Sequence, residues 1–292
     1  DNGKKNGKKK TTTTNERTSL VGKGGDEDEG ERTLTTKIPL LPAAKFEAVV
    51  VAGPAGSAPQ RPLGPAVLRA DGVVVARTGL RCSFTVSKET RLAVTGATGS
   101  GKTSLLKVLC RLDEPESGVL RLMDTNKTPE GGDPPRRDDV PAWRARVLYV
   151  AQDRPTLPGC PQDLYDTVRR YRAQRRRGDK FPDDAPARIA ENWDLHPSKF
   201  TQAWFSLSGG EAQRANLAIA LALKPDVLLL DEFTSALDDK TTAAVERDVL
   251  NAGAGVVLVT HSPDQANRLC HTHLRIHARR DRDRSATLPL LV

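Results

Sequence analysis

A glycine-rich loop, GATGSGKTS at 96–104, restricts the fold of this chain more than any other feature of its sequence. It follows an apolar run that reads as a buried strand, RLAVTG, and it opens into a helical pattern, KTSLLKVLC. In such a unit the backbone N–H groups surround phosphate, a lysine adds charge at the β and γ oxygens, and a hydroxyl ligates Mg²⁺. We therefore predict a site for a nucleotide and Mg²⁺, with Lys102 on phosphate and Thr103 on the metal, formed by Gly96, Ala97, Thr98, Gly99, Ser100, Gly101, Lys102, Thr103 and Ser104.

A pair of carboxylates follows a second buried run, VLLLDE at 227–232. Asp231 ends a fully apolar strand, where its charge needs a metal or hydrogen bonds, and Glu232 comes next. In enzymes with this kind of phosphate loop, the first acid holds Mg²⁺ through water and the second polarises the attacking water. The pair alone would indicate an ordinary strand-end turn, but beside the glycine loop it predicts a metal residue, Asp231, and a catalytic residue, Glu232.

Apolar runs at 91–96, 147–151, 227–231 and 255–260 alternate with helical patterns along the chain. Their near-continuous apolar character is typical of a parallel sheet covered on both faces, which predicts an α/β fold. Shorter runs at 46–53, 72–76 and 82–86 read as further strands. The segment 161–205 is helical and polar without a strand pattern, and it indicates an inserted helical subdomain at about 155–224.

The two ends of the chain differ from this pattern. Residues 1–43 combine blocks of Lys, Thr and acid with almost no aromatics, which predicts a disordered tail. We place one domain at 44–280 and a C-terminal tail at 281–292. A net charge of +8 fits a solvated basic surface, with nucleic acid or an anionic membrane face as alternatives. Four scattered cysteines favour a reducing compartment, and no apolar run reaches the roughly 18–20 residues of a membrane span.

The stretch LSGGEAQR, at 207–214, indicates a second anion site. Its Ser-Gly-Gly triplet opens into a helix with an apolar stripe, and the free N–H groups and dipole of a helix N-terminus favour phosphate. The glycine loop at 96–104 already provides one phosphate site. A chain of this size therefore carries two such features about a hundred residues apart.

These motifs, in this order, resemble those of ATP-binding-cassette (ABC) nucleotide-binding domains over about residues 66–277. Three smaller family elements accompany GATGSGKT, LSGGEAQR and VLLLDE: Gln152 in YVAQDRP, the run SALD at 235–238, and His261 in VLVTHS. The resemblance implies an α/β P-loop NTPase fold with an ABC-type core sheet, an N-terminal antiparallel β subdomain and the inserted helical subdomain. It also implies that the bound nucleotide is ATP with Mg²⁺.

The resemblance further implies a head-to-tail dimer, in which the Ser-Gly-Gly helix of one copy closes over the γ-phosphate held by the other. ATP would then clamp the dimer and hydrolysis would release it. By the same resemblance, Ser208, Gly209 and Gly210 would bind the ATP of the opposite copy, and Asp238 would lie beside the nucleotide. Gln152 would sense Mg²⁺ and couple the site to a partner. Glu232 would be the catalytic base, and His261 would hold the γ-phosphate and the base in position.

The chain departs from the family pattern in its base-binding region. The family stacks adenine on an aromatic residue about twenty-five positions before the loop, where this chain has Arg69, Ala70 and Asp71. The nearest upstream aromatic is Phe46, which reads as a core strand residue. Phe233 replaces the usual proline after Glu232. The missing aromatic predicts weak selection of the base.

Two weaker patterns remain open. The run RRYRAQRRR, at 169–177, fits a solvated helix face, and contact with a membrane partner or phospholipid heads is the alternative. On a short strand, His271, His273 and His277 would share one face, as in a metal site, although a polar edge strand explains them equally well.

The expected function is the ATP-hydrolysing subunit of a transporter on the cytosolic face of a membrane, with a separate membrane-spanning permease. Nucleic acid is not an expected partner. The alternatives are a soluble ABC-type ATPase acting on DNA, in translation or in cluster assembly, and a catalytically silent nucleotide-binding module. Among transport subunits, the motifs look most like stand-alone subunits of two-component systems for iron export or aluminium tolerance.

Overall fold

The computed structural model describes residues 46–52, 64–123 and 140–279 of the 292-residue chain. All of these residues belong to the second of two units into which the chain divides, Pro42–Val292. The predicted tails at 1–43 and 281–292 lie outside the described residues.

One mixed sheet runs through the described part of the chain, with the strand order β5-β2-β3-β1-β9-β4-β8-β7-β6. The strands are β1 (Phe46–Ala52), β2 (Ala66–Val75), β3 (Leu80–Ser87), β4 (Arg91–Gly96), β5 (Ser117–Leu122), β6 (Val147–Val150), β7 (Val227–Asp231), β8 (Gly255–Val259) and β9 (Thr272–Ala278). The five strands from β9 to β6 are parallel, which confirms the predicted core sheet.

The remaining strands form the antiparallel part of the sheet. β2 pairs antiparallel with both β3 and β5, whereas β1 pairs parallel with β3 and antiparallel with β9. β1 therefore joins the antiparallel strands to the parallel core, as the predicted N-terminal antiparallel β subdomain requires.

Helices cover both faces of the sheet. In the described residues they are α1 (Lys102–Leu109), α2 (Val140–Arg146), α3 (Pro161–Arg170), α4 (Arg172–Arg175), α5 (Ala185–Glu191), α6 (Gly209–Ala222), α7 (Asp239–Leu250) and α8 (Pro263–Leu269). Between β6 and β7 the chain forms only helices and turns, so the predicted helical insertion is present. Its last helix, α6, has nine buried residues, because it packs between the insertion and the sheet.

Two apolar clusters lie on opposite faces of the sheet, and the alternation of side chains along β4 separates them. Ala93 belongs to the first cluster, which also contains the buried residues of α6. Leu92 and Val94 belong to the second, which contains the apolar face of α1. β7 and β8 are buried at every position, as expected for central parallel strands.

Asp226, just before β7, ties the helical insertion to the sheet. Its carboxylate lies 2.5 Å from Arg146 Nε, 3.4 Å from Lys88 Nζ and 3.9 Å from a guanidinium nitrogen of Arg177, which belongs to the insertion. Burial raises the pKa of Asp226, but the hydrogen bond and charge of Arg146, with the charges of Arg177 and Lys88, outweigh it and lower the pKa overall. Three cations thus converge on one carboxylate that is only 14% exposed.

We expect Asp226→Asn to lower the free energy of unfolding at pH 7 by about 2 kcal/mol, the scale of a hydrogen bond between charged groups. Because the folded-state pKa is lowered, this contribution is fully present above the unfolded-state value, about 3.9, and is lost as the pH falls through the folded-state value. Urea unfolding at pH 7 and at pH 3 checks the prediction, since the difference between the two proteins should shrink in acid.

The matched control is Asp194→Asn, because Asp194 pairs with Lys240 but is 76% exposed. A surface pair of this kind contributes less than about 1 kcal/mol. An equal loss in the two variants would contradict the assigned role of Asp226.

Candidate nucleotide site

The glycine loop connects β4 to α1 in the conformation that its sequence requires. Gly99 and Gly101 have φ angles of 79° and 98°, which favour glycine. A Cβ on Gly101 would lie 2.5 Å from Thr78 Oγ1, so the turn after β2 contacts the loop closely. Ala97, Thr98 and Gly99 are exposed, whereas Ser100 is buried. The loop therefore presents exposed backbone at its tip.

Lys102, the first residue of α1, bends back over the loop. Its Nζ donates to the carbonyl oxygens of Gly96 and Ala97, at 3.0 and 3.1 Å. Burial lowers the pKa of Lys102, and the negative charges of Glu232 and Asp231 oppose that shift. The predicted phosphate-binding amine and the predicted acid pair thus share one electrostatic environment. Thr103 is exposed in the first turn of the helix, and Ser104 is half-buried.

Asp231 ends β7 with its side chain almost wholly buried, since the residue is 2% exposed. Tyr149 Oη, from β6, donates to Asp231 Oδ2 at 3.1 Å. Burial, and then the charge of Asp231, raise the pKa of Tyr149, so its hydroxyl keeps the proton that this hydrogen bond needs. The sequence did not reveal this contact, because an aromatic residue in the run VLYV indicates only a strand.

Glu232 adopts a left-handed backbone conformation, with a φ angle of 48°. Its amide donates to Val259 O at 3.0 Å, which holds the residue at the end of β8. Its carboxylate accepts from Gln152 Nε2 at 2.8 Å and lies 3.1 Å from His261 Nε2. The structure therefore brings three predicted site residues together, at a backbone cost of about 1–2 kcal/mol for a residue with a Cβ.

Gln213, in α6, is a further site residue that the sequence analysis missed. It is 6% exposed, and its Nε2 donates to Glu232 O at 3.2 Å. Its Oε1 accepts from the amide of Ala236 at 3.2 Å. One buried amide thus joins the helix that begins at Gly209 to the acid pair and to the loop at 235–238. Its place four residues after Gly209, in GGEAQR, was the available signal.

The N-terminus of α6 forms a second, separate surface. Ser208 caps the helix, because its Oγ accepts from the amide of Glu211 and its own amide donates to Glu211 Oε2. A Cβ on Gly209 would meet no atom within 4 Å, whereas one on Gly210 would lie 2.8 Å from Ala236 O. Within the described ranges, no hydrogen bond or ion pair joins Ser208, Gly209 or Gly210 to residues 96–104.

Asp238 caps α7 and does so with both carboxylate oxygens. Oδ1 accepts from the amide of Thr241 at 2.9 Å, and Oδ2 accepts from its hydroxyl at 2.8 Å. The backbone and side-chain hydrogen bonds from Thr241 lower the pKa of Asp238. Any contact of Asp238 with a nucleotide would therefore compete with this cap.

The three histidines in and next to β9 differ in their exposure. His273 is 5% exposed, whereas His271 and His277 are exposed. In the part of the chain that the structure describes, no group of three or more His, Cys, Asp or Glu residues could hold a metal ion. The other alternative, a polar edge strand, is wrong, because β9 lies inside the sheet and pairs with both β1 and β4. Its burial also does not alternate regularly along the strand.

The structure does not place residues 69–71, which the sequence analysis indicated, against the glycine loop. Arg69 and Asp71 form ion pairs on β2, the latter also with Arg121 of β5, and Ala70 is buried. Thr78, in the turn between β2 and β3, is the residue that contacts Gly101. The exposed residues of this turn are Ala76 and Arg77, so the turn also lacks the aromatic residue on which the family stacks adenine.

The ABC transporter family model matches residues 80–235 of this chain. Phosphate import ATP-binding protein PstB 1 of Yersinia pestis bv. Antiqua (strain Antiqua) is 36% identical over 209 residues, 67% of this chain and 73% of that protein. Fe(3+) ions import ATP-binding protein FbpC 1 of Rhodococcus jostii (strain RHA1) is 35% identical over 194 residues, 63% of this chain. The chain spans about half the length of the latter relative, 51%.

A solved structure agrees in fold. The dimeric structure of a post-hydrolysis state of the ATP-binding cassette MJ0796 bound to ADP and Pi superposes with a TM-score of 0.59 at 21% identity, over 73% of this chain and 97% of that one. The chain belongs to the ABC transporter family. It is an ATP-binding cassette of the ATP-hydrolysing kind, which confirms the α/β P-loop fold that the motifs predicted.

One expectation stands differently after these comparisons. The relatives named here are importers by name, so they give no support to the resemblance to iron-export or aluminium-tolerance subunits. Within the described residues, no helix combines the length and the apolar character that a membrane span needs.

We expect Gln213→Ala to lower ATP turnover about 10- to 100-fold, because it frees both Glu232 and the loop at 235–238 and small displacements of a catalytic group are costly. Nucleotide binding by the monomer should change little, since in the described residues the hydrogen bonds of Gln213 go to Glu232, Ser235 and Ala236 and not to the loop at 96–104. Steady-state phosphate release and equilibrium binding measure the two quantities. The control is Gln162→Ala in α3, which should leave both unchanged, and equal turnover in the two variants would contradict the assigned role.

Proposed function

We propose that this chain is the ATP-hydrolysing subunit of a transporter, that it acts as a head-to-tail dimer, and that it docks on the cytosolic face of a membrane against a separate permease. The observation that carries the proposal is the presence of two half-sites in one chain. The glycine loop with its acid pair forms one, and the N-terminus of α6, with open space in front of Gly209, forms the other. A second copy supplies to each half-site what its own chain does not.

On the glycine loop, the backbone N–H groups and Lys102 hold the phosphates of ATP. Lys102 Nζ already lies beside the carbonyls of Gly96 and Ala97, and the carboxylates of Asp231 and Glu232 act on its charge. An amine in this position adds a point charge to the β and γ oxygens. The other loop residues, Thr98, Gly99, Ser100, Gly101 and Ser104, shape the backbone around the phosphates.

The residues at the sheet edge fit a Mg²⁺ ion. Thr103, Gln152 and Asp231 offer a hydroxyl, an amide and a carboxylate, the oxygen ligands that this metal prefers. Asp231 is almost wholly buried and, among the described residues, its carboxylate accepts a hydrogen bond from the Tyr149 hydroxyl. A buried carboxylate is further stabilised by a bound cation. When bound, the metal would supply charge neutralisation at the phosphate oxygens.

Glu232 is the catalytic base in this proposal. It accepts a proton from the water that attacks the γ-phosphorus, the bond from that phosphorus to the bridging oxygen breaks, and ADP leaves. Gln152 and His261 hold the two carboxylate oxygens of Glu232 in place, at 2.8 and 3.1 Å. The side chain of His261 is 56% exposed, so its imidazole is open to a γ-phosphate that binds beside Glu232.

The α6 N-terminus acts on the nucleotide of the other copy. Ser208, Gly209 and Gly210 lie at the positive end of a 14-residue helix, which favours a terminal phosphate. The amide of Ser208 is already bonded to Glu211 Oε2, so the amides of Gly209 and Gly210, in the first turn, are the donors for that phosphate. That phosphate is present only before hydrolysis, so ATP closes the dimer and its hydrolysis opens it. Asp238 contributes through its loop backbone, because its carboxylate already caps α7.

An apolar groove supports the permease as partner. A cavity of about 260 Å³ opens between the sheet and the helical insertion, and it is lined by the end of α1, by β6, and by apolar residues of α3 and α6. Leu112 in this groove is 52% exposed. The groove fits an amphipathic helix of a membrane protein, and the names of the relatives, which are import proteins, agree with a role in transport.

We expect Gly209→Asp to bind ATP on its own glycine loop but neither to dimerise nor to hydrolyse it. The substitution adds bulk and a negative charge where phosphate of the other copy must approach, and like charges there cost several kcal/mol. Glu232→Gln should do the opposite, because it keeps the clamp and removes the base, so it should remain a closed dimer with ATP. Light scattering and phosphate release measure both behaviours.

Gly209→Ala provides the folding control, because a Cβ there meets no atom within 4 Å in the monomer. Unaltered thermal unfolding of the variants would confirm that the effects arise between copies. Normal hydrolysis by a monomeric Gly209→Asp protein would show that the triplet is only a helix cap.

We expect Leu112→Asp to reduce the membrane-bound fraction of the chain in its source cells several-fold, because a carboxylate in the apolar groove opposes helix docking. ATP-driven dimerisation should be retained. Leu157→Asp is the control, since Leu157 is 49% exposed and does not line the groove. Equal membrane association of the two variants, or a wild-type chain that stays in the soluble fraction, would instead favour an ATPase outside transport.

A further inference from the structure

Phe205 is the most exposed large apolar side chain in the described part of the chain, at 84% of its surface. Single exposed apolar residues are ordinary on protein surfaces, so exposure alone indicates nothing. What distinguishes Phe205 is its position, three residues before Ser208, the cap of α6.

The backbone on both sides of Phe205 is fixed. Trp204 is 2% exposed and its amide donates to Gly159 O at 3.1 Å. Ser206 donates to Ala203 O from both its amide and its hydroxyl, at 2.9 and 2.8 Å. Leu207 is 3% exposed. A short 3-10 turn thus buries the apolar side chains of Trp204 and Leu207 and leaves Phe205 exposed, so the backbone that carries the ring does not have to be ordered on binding.

The short chain between Phe205 and Ser208 keeps the ring close to the proposed phosphate contact. Three residues of chain reach at most about 11 Å, which is the scale of the separation between the terminal phosphate and the base of a nucleoside triphosphate. If Ser208 meets the γ-phosphate held by the other copy, Phe205 is within reach of the base of that same nucleotide.

The chain that holds the phosphates offers the base no free aromatic ring in the described residues near the loop. The turn that contacts Gly101 exposes Ala76 and Arg77. Phe46 is partly buried and packs against the second apolar cluster, and Phe84 is 8% exposed within it. In the described residues, the copy that binds the phosphates therefore provides no exposed aromatic ring for the base. In the monomer, the ring of Phe205 is also left without a surface that covers it.

We infer that Phe205 stacks on the base of the nucleotide bound by the opposite copy, and that it is the base-binding aromatic of this protein. The inference rests on the proposed head-to-tail dimer. Because stacking depends on the area of the base and not on its hydrogen-bonding groups, the composite site favours the larger purines and selects weakly between ATP and GTP. Base recognition then belongs to the closed dimer and is absent from the monomer.

The test uses the full chain carrying Glu232→Gln, with the dimer fraction measured by light scattering against ATP concentration. Phe205→Ala should raise the concentration for half-dimerisation about tenfold, within the range of base–aromatic stacking. Phe205→Trp should restore it. Tyr171→Ala is the matched control, since Tyr171 is 57% exposed and lies in the helical insertion. With UTP the penalty of Phe205→Ala should shrink, because a pyrimidine offers less surface.

A mixing experiment separates the two copies. One chain carries Lys102→Ala, which removes the amine from its own loop, so the mixed dimer has one competent nucleotide site. Phe205→Ala should weaken this dimer when placed in the Lys102→Ala chain and should have no effect when placed in the chain that holds ATP. The reverse result would overturn the inference, as would equal penalties with ATP and UTP, which would mean that Phe205 packs on protein.

Failure of the inference and failure of the proposed function give different results. If the Glu232→Gln chain dimerises with ATP and Phe205→Ala matches Tyr171→Ala, only the stacking role is wrong. If the Glu232→Gln chain stays monomeric at saturating ATP, the head-to-tail dimer and the stacking role are both wrong.

Discussion

The burial of Asp231 at the end of β7 is the constraint on which the rest of the site depends. A carboxylate that is 2% exposed is tolerable only with hydrogen bonds and a nearby positive charge. Tyr149 supplies the hydrogen bond, and Lys102, whose pKa is lowered by its own burial, supplies the charge across the sheet edge. Parallel strands place their carboxyl ends at one edge of the sheet. Lys102, after β4, and Asp231, at the end of β7, therefore lie at the same edge because β4, β8 and β7 are parallel neighbours.

The sequence predicted those parts of the molecule that are encoded locally. The apolar runs gave the core strands, because a buried parallel strand needs apolar side chains on both faces, and the loop at 96–104 carries its own geometry in its glycines. The helical insertion was also evident, because its segment interrupts the strand pattern. The confirmed family membership explains why the predicted site residues could be named at all, although their roles remain proposals.

The rest could not be predicted because it depends on contacts between distant segments. Gln213 and Tyr149 reach the acid pair from α6 and β6, and nothing in their local sequence identifies their partners. The left-handed backbone of Glu232 is set by Val259, on the neighbouring strand. Counting residues before the glycine loop indicated 69–71 as the base-facing segment, but the residue that the hairpin between β2 and β3 brings against the loop is Thr78.

Each residue of the acid pair is also linked to a surface at which a partner is proposed to bind: Asp231 through its carboxylate and Glu232 through its backbone carbonyl oxygen. Tyr149 lines the apolar groove and donates to Asp231, so a displacement of β6 by a helix in the groove would move a hydrogen-bond donor of the buried acid. Gln213 links Glu232 to the helix that begins at Gly209, so the contact between copies bears on the second acid. If docking in the groove changes the affinity for ATP, linkage requires ATP to change docking by the same factor. In the proposed assembly, permease binding and dimer closure would therefore act on each other through the two acidic residues.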